Sequence, residues 1–420
     1  MKKNLTTLII LLMAVVLSAQ KSLSLEECYI KARENYPLIK QKEYIEKSSE
    51  YKIANIWKGF YPQINLNGQA TYQSDVTSLP LTFPGINIET LSKDQYKAVA
   101  EISQVLYDGG AISSQAKVQK ASAEAEQKKV ETELLKIKER INQIYFGILL
   151  FNEQLIQTDL IKGDLQSSLK KLEAALENGT TLQSNVDVLK AELLKVSQKE
   201  IEIKSSKKSF VEMLGLLINQ NLDDNLLLQH LEIEINEEVE NINRPELDLL
   251  ASQRKQIEEQ NGITNAKILP KASLFFQGGY GKPTLNMLKN KFDWYYITGA
   301  RLSWQISNLY TYGNEMEIAE INLKSIDAQK ETFLLNTNLS LKQYKNEIEK
   351  LYDLINVDKK IIEIRTTVKE TAKAQLENGV ITSNDFIREL NAEDQAKQNM
   401  AIHKVQLMLA KQNYKLTSGN

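Results

Sequence analysis

Cysteine is almost missing from this chain. Of 420 residues only Cys28 is one, so no intrachain disulfide can form. Histidine is nearly as scarce, with His230 and His403 alone. One thiol and two scattered imidazoles cannot build a metal site of ordinary His/Cys spacing, nor a Ser/His/Asp or Cys/His nucleophilic set. Gly278-Gly279-Tyr280-Gly281 lacks the lysine of a phosphate-binding loop. These absences point away from an enzyme and from any cofactor. A hydrolase would need a pocket of perturbed titrating groups, which the sequence does not offer. An excess of one charge is lacking too. Lys+Arg number 52 against 54 Asp+Glu, a formal charge of −2, and that balance argues against a nucleic-acid partner. Past the N-terminus, no apolar run approaches the ~20 residues of a membrane helix.

The N-terminus reads as a secretory signal over residues 1–20. Lys2 and Lys3 supply the positive start, Leu8 to Leu17 the apolar stretch, and Ser18-Ala19-Gln20 the residues near a cleavage site. Gln20 stands where a lipoprotein signal needs cysteine, so no lipid anchor is expected. Cys28, further along, reads as a half-buried helical thiol. An exported chain without a membrane helix is either soluble or crosses a membrane as a β-barrel.

Proline is also absent where it would matter most. The seven prolines are Pro37, Pro62, Pro80, Pro84, Pro245, Pro270 and Pro283, with none between Gly85 and Arg244 and none after Pro283. Long helices are therefore permitted. Periodicity supplies the positive signal: Leu134, Ile137, Ile141, Ile144, Ile148, Phe151 and Leu155 alternate steps of three and four. After Thr158 and Lys162 the stripe resumes at Leu165, Leu169, Leu172 and Leu176. Leu189, Val196, Ile203, Phe210 and Leu217 recur every seven residues, and a weaker stripe runs through Tyr344, Ile348, Leu351, Ile355 and Ile362, broken at Asp358. A period near 3.5 means coiled-coil packing. A helix over residues 111–177 would be about 100 Å long at about 1.5 Å per residue, more than a globular core needs.

The chain is an internal duplication. Pro37 and Pro245 are 245 − 37 = 208 apart, as are Pro62 and Pro270 (270 − 62 = 208). "LYDGGA" at Leu106 to Ala111 finds a partner in "YTYGNE", with Gly110 and Gly313 203 apart. "ENGTTLQSNVD" finds "ENGVITSND", with Gly179 and Gly379 200 apart. The drift in spacing reads as small changes in loop length. The first repeat covers 21–217: short helices, the first opened by a capping box at Ser24 to Glu27; a strand hairpin near 60–108; a long helix 111–177; a turn 178–183; and a helix 184–217. A connector follows at 218–243. The second repeat, 244–420, holds a helix 245–267, a hairpin near 268–309, a long helix 313–377, a turn 378–383 and a helix 384–417.

The strands alternate with period two. Ile64, Leu66, Ala70 and Tyr72 oppose Asn65, Asn67, Gln69 and Thr71. Ala98, Ala100 and Ile102 oppose Lys97, Glu101 and Ser103. Ala272, Leu274 and Phe276 oppose Lys271, Ser273 and Gln277, with Phe275 off the pattern. Trp294, Tyr296, Ala300 and Leu302 oppose Gly299, Arg301 and Ser303, with Trp294 and Trp304 near the ends. A half-buried soluble sheet would alternate likewise; the export signal and long helices favour a barrel with an apolar face toward lipid and a wet lumen. The lumen residues would then be Asn65, Asn67, Gln69, Thr71, Gln277, Arg301 and Ser303. Four strands cannot close in lipid, where open edges leave backbone groups unpaired. Copies must pool their strands, two giving eight and three giving twelve.

The whole exported part resembles the TolC-like outer-membrane efflux and secretion channels. The features that carry this are "ARENYPLI" with "NRPELDLL", "FYPQINLNG" with "ILPKASLFF", "LYDGGA" after the second strand, and the duplicated glycine turns followed by Asp. The resemblance implies an α+β membrane protein: a homotrimer with a twelve-stranded β-barrel in the outer membrane of a Gram-negative bacterium, and a coaxial periplasmic α-helical barrel. Residues near Gln220 to Asn243 would form an equatorial belt. It further implies a passive gated exit duct for tripartite efflux or type I secretion, partnered by a periplasmic adaptor and an inner-membrane pump. The adaptor-docking tip would be Gly179, Thr180, Thr181 and Leu182 with Gly379, Val380 and Ile381. Acidic residues six past the second glycine and three further on narrow the tip in prototype members. Asp385 matches the first, Arg388 stands at the second, and Asp187 follows Gly179 by eight, which reads as a small insertion in the first turn. Asp187, Asp385 and Arg388 are thus the candidate constriction residues, with Asp385 equally explained as a helix N-terminal acid. The competing reading is a periplasmic coiled-coil scaffold or adaptor without a barrel of its own.

Overall fold

The structure, a computed structural model, describes residues 22–77, 90–224, 226–231, 233–234, 242–287 and 289–419. The expected signal segment, most of the loop after the first strand and part of the connector lie outside these residues. The elements are α1 (Leu25–Asn35), α2 (Ile39–Trp57), β1 (Gln63–Tyr72), β2 (Asp94–Tyr107), α3 (Ala111–Glu177), α4 (Gln183–Ile218), α5 (Pro245–Lys267), β3 (Lys271–Lys282), β4 (Asp293–Ser303), α6 (Leu309–Glu377) and α7 (Ser383–Ser418). Among the described residues no helix is long and apolar enough to cross a membrane, which bears on helices only. The compact units are not the two repeats. One gathers Met1–Lys40, Val130–Pro245 and Thr332–Asn420; the other gathers Gln41–Lys129 and Glu246–Glu331. Each draws on both halves of the sequence.

The first unit is helical, and its core is the heptad stripe. Leu134, Ile141, Ile144, Ile148, Leu165, Leu172, Leu189 and Val196 are all buried. Two of the polar breaks in the stripes, Thr158 and Asp358, are buried as well. Thr158 turns its hydroxyl back onto the Gln154 carbonyl at 2.7 Å. Asp358, which follows it by 200, takes His403 Nδ1 at 2.6 Å. Each break thus finds a polar partner instead of solvent, as a buried polar group must. Lys162, the other break, reaches Glu200 at 2.6 Å.

Helix α1 closes one end of this core. Its capping box is formed in both directions: Glu27 N donates to Ser24 Oγ at 3.2 Å, and Ser24 N to Glu27 Oε2 at 3.1 Å. Its buried face, Leu25, Cys28, Tyr29 and Ala32, packs in one cluster with Ile141, Tyr145, Val211 and Leu214. Tyr145 Oη lies 3.0 Å from the Leu23 carbonyl and 2.8 Å from that of Gln229, clasping the two segments that meet in the parallel bridge Leu23↔Leu228. Cys28 is wholly buried, not half-buried as its helical position suggests. Burial pushes its thiol up to about 12. The folded protein should therefore resist iodoacetamide at pH 8, with mass spectrometry finding the adduct only after denaturation. Rapid labelling of the native chain would contradict this packing.

In the second unit β1 to β4 form one antiparallel sheet in the order β1-β2-β3-β4. Its helical part is α2, α5 and the first turns of α3 and α6. The start of α3 is made by a true turn: Gly109 and Gly110 have φ of +74° and +84°, and Asp108 accepts from Gly110 N at 2.9 Å and Ile112 N at 2.6 Å. Gly313 makes no such turn, because α6 begins at Leu309 and runs through it. An unbroken helix cannot absorb a change of spacing. With both helices ending at glycine turns 200 apart, Gly313 corresponds to Ser113, and its match to Gly110 is accidental.

Candidate functional site

Residues directly opposite in an antiparallel pair point to the same side. The pairs Asn65↔Glu101, Glu101↔Gln277 and Gln277↔Ile297 therefore place the odd-numbered strand residues on one face and the even-numbered on the other, until the irregularity at Val105/Tyr107. All seven lumen candidates, Asn65, Asn67, Gln69, Thr71, Gln277, Arg301 and Ser303, fall on the odd face. The even face carries Ile64, Leu66, Tyr72, Ile102, Leu274, Phe276, Tyr280, Trp294, Tyr296 and Leu302. Its charged strand residues, Asp94 and Lys282, sit in the end rows Tyr72↔Asp94 and Tyr96↔Lys282. This apolar face is bare: Leu66 is 81%, Trp294 77% and Leu302 75% exposed. A continuous apolar surface of this kind marks contact with lipid or another protein. Aromatic residues gather at one end, with Tyr280 centred 4.9 Å from Trp294 and 5.6 Å from Phe292. Trp57 stacks on Phe60 at 5.9 Å just before β1, at the other end of the strands.

The register also explains Phe275. It sits on the polar face, over Gly299, where an added Cβ would stand 3.2 Å from its ring. Tyr295 covers Gly279 on the same face in the same manner, at 2.5 Å. Arg301 lies over the Phe275 ring with its guanidinium 4.9 Å from the centroid. Glu101 ties three strands together, receiving Gln277 Nε2 at 2.8 Å and lying 3.6 Å from Arg301.

The glycine turns are brought together on one core. Gly179 and Gly379 have φ of +70° and +72°, and an added Cβ would meet nothing within 4 Å at either. Their hydrogen bonds match: Gly179 N donates to Leu176 O and Thr180 N to Ala175 O, as Gly379 N does to Leu376 O and Val380 N to Gln375 O. Beneath them Leu172, Val186, Leu189, Ala372, Leu376, Phe386 and Leu390 form one cluster, with Ile381 against it. Asn185 Oδ1 accepts from Ser383 N at 3.3 Å, bridging the two turns. Leu182 and Val380 project outward, 70% and 69% exposed. Both following helices begin four residues past their glycine, at Gln183 and Ser383, so the first turn carries no insertion. The counterpart of Asp385 is Asn185, not Asp187. Asp187 instead accepts from Gln183 Nε2 at 2.8 Å on the exposed surface of α4. Asp385 completes a capping box with Thr382. The Thr382 hydroxyl and backbone hold its carboxyl below the usual range, and Arg388 adds to this at 3.8 Å. Arg388 lies closer to Glu389, at 3.1 Å.

A second polar feature escaped the sequence reading. Lys369 is 4% and Glu393 3% exposed, with Lys369 Nζ 3.3 Å from Glu393, 3.0 Å from Asp164 and 2.7 Å from Glu370. Burial disfavours the charged amine, but the bonds to Glu370 and Asp164 outweigh it and raise the lysine above its ordinary value. Burial likewise opposes ionisation of Asp164 and Glu393, and their lysine and threonine partners still hold both below the usual carboxylate range. The positions 200 earlier are Leu169 and Leu193, which pack against the apolar cluster beneath the two turns. That exchange of a leucine pair for an ion pair was the available signal. Among the described residues no His/Cys/Asp/Glu group is arranged to hold a metal ion.

Paired glycine-turn helical hairpins and a four-stranded antiparallel sheet with one bare apolar face are the features that any related structure has to match. The sequence profile of the family described as "Outer membrane efflux protein" matches residues 29–220 of this chain. Among solved structures it is similar to VceC from Vibrio cholerae, with 16% identity, a TM-score of 0.65, and 93% of this chain and 95% of that one covered. It is also similar to the CmeC outer membrane channel of Campylobacter jejuni, with 13% identity, a TM-score of 0.65, and coverage of 94% and 85%. The open-state MtrE outer membrane channel of Neisseria gonorrhoeae gives 14% identity, a TM-score of 0.67, and coverage of 94% and 88%. At these identities the likeness establishes the fold. No curated protein matches the chain in sequence.

Proposed function

We propose that this chain is the outer-membrane exit duct of a tripartite efflux or type I secretion system: a passive, gated conduit of three copies, with twelve strands in one barrel and a coaxial periplasmic helical barrel. The observation that carries the reading is the sheet. Its even face is uncharged and largely apolar through the middle rows and its odd face carries most of the polar and charged residues, while among the described residues β1 and β4 each leave one edge unpaired. In lipid those edges have to pair with other copies. Trp294 and Trp304, the latter one residue past β4, are ten steps apart, about 33 Å of extended chain at about 3.3 Å per residue; with the tilt of barrel strands this suits an apolar band ~25 Å tall.

Energy would come from an inner-membrane pump, and a periplasmic adaptor would dock at the glycine turns, where Leu182 and Val380 offer exposed apolar contacts. The tip would open when the hairpins shift. Asp385 with Arg388 is the candidate constriction pair, and Asp187 is the weaker candidate because Asn185 takes the position equivalent to Asp385. The scaffold alternative leaves the bare apolar face of the sheet without a purpose. Membrane extraction distinguishes the two. The protein should stay with the outer-membrane fraction through high salt and carbonate and come out only with detergent; release by carbonate would support the scaffold.

A further inference from the structure

The odd face of the sheet carries an unequal set of charges. Its described strand residues include Lys97, Lys271 and Arg301 against Glu101 and Asp293, so 3 − 2 leaves one positive charge per copy. The rest of that face is uncharged, with amides and hydroxyls such as Asn65, Asn67, Gln69 and Ser273. Arg301 remains 53% exposed beside Glu101, whose side chain is only 20% exposed and also holds Gln277. The acid is thus folded into the wall while the guanidinium, propped on Phe275, stays open to water. Lys97 has no ion-pair partner among the described residues.

We propose that the barrel wall selects cargo by charge, favouring anions, and that Arg301 is the residue that sets this preference. This rests on the duct reading above, in which the odd face lines the lumen. Three copies would then place three exposed guanidinium groups around one narrow passage, with a net wall charge of about three positives. A water-filled passage with low-dielectric walls focuses the field of such a ring and enriches counter-ions within it. The effect fades as salt shortens the screening length, about 10 Å at 0.1 M. The favoured cargo class is small organic anions and the anionic forms of amphipathic compounds.

The test uses full-length protein in planar bilayers under a KCl gradient at low salt. The wild type should pass chloride over potassium with a permeability ratio above one. Arg301→Glu changes the wall from one positive to one negative charge per copy and should bring the ratio below one. Glu101→Gln should raise it by about twofold or more. Arg301 is exposed on the polar face, so neither substitution touches the lipid-facing surface, and gel mobility without heating checks that assemblies persist. A wild-type ratio below one, or a ratio unmoved by both substitutions, overturns the proposal. Stable assemblies that conduct nothing even when the candidate constriction pair is removed by Asp385→Ala and Arg388→Ala would instead contradict the duct reading.

Discussion

Replacing Gly179 and Gly379 together with valine should reduce export at least tenfold while assembly is retained. Both glycines sit at φ near +70°, where a β-branched side chain is strained by about 1–2 kcal/mol each. An added Cβ meets no neighbouring atom at either position, so the cost is confined to the turn backbone and the core beneath it is untouched. Relief has to come from re-forming the turn, which moves Leu182 and Val380 and disturbs the Asn185–Ser383 bridge. Alanine, less strained than valine in this conformation, should give an intermediate loss. The measurement is efflux or secretion in a strain lacking the native gene, alongside an immunoblot of unheated outer membranes. Undiminished export from the double valine variant would remove the docking role assigned to the tip.

The second large effect concerns Lys369. Its replacement by methionine should destabilise the helical unit by about 1–3 kcal/mol, because Glu393 loses one of its two lysine partners, keeping Lys397 at 2.9 Å, and Asp164 keeps only Lys373. Replacing Lys369 and Glu393 together with leucine copies the apolar pair of the first repeat, and stability should recover to wild type or above. Thermal melting of the detergent-solubilised variants gives the comparison. The pH dependence has a definite sign. Asp164 and Glu393 have lowered values, so their contribution is present above the unfolded carboxylate range, about 4, and fades as pH falls through their folded values. Lys369 has a raised value, so its contribution is complete below the ordinary lysine range and fades only as pH rises through the folded one. The wild type should hold its melting temperature through neutral pH and lose it in acid. The double-leucine variant should lose less there.

Much of the helical architecture could be read from residue spacing. The heptad stripe through Leu134 to Leu176 is buried or half-buried because a 3.5 period keeps one face against a neighbour. The Asn-Gly pairs end α3 and α6 because glycine alone enters the left-handed region without strain. Strand faces were readable for the same reason: alternation is forced by the pleat, and a residue's parity fixes its side. What escaped was geometry that spacing does not carry. Gly313 looked like a turn, yet nothing around it bends the chain, while Asp108 makes the turn at Gly110 by accepting two backbone amides. Asp187 looked like the acid of the first turn because a residue count cannot see where a helix begins. Lys369 and Glu393 looked like solvated charge, since helical faces usually carry it; only the third helix bringing in Asp164 reveals them as buried. Phe275 broke the alternation because it fills the space that Gly299 leaves open across the sheet.

The central claim is that one copy cannot seal its four strands in a bilayer, and its sharpest test is the mass of the purified full-length protein. Light scattering on the detergent complex, with the detergent contribution subtracted, should give three copies of the chain without its signal segment, each somewhat below the 47.8 kDa of the full 420 residues, and the protein should precipitate when detergent is removed. A monodisperse single chain that stays dissolved in plain buffer would contradict the account.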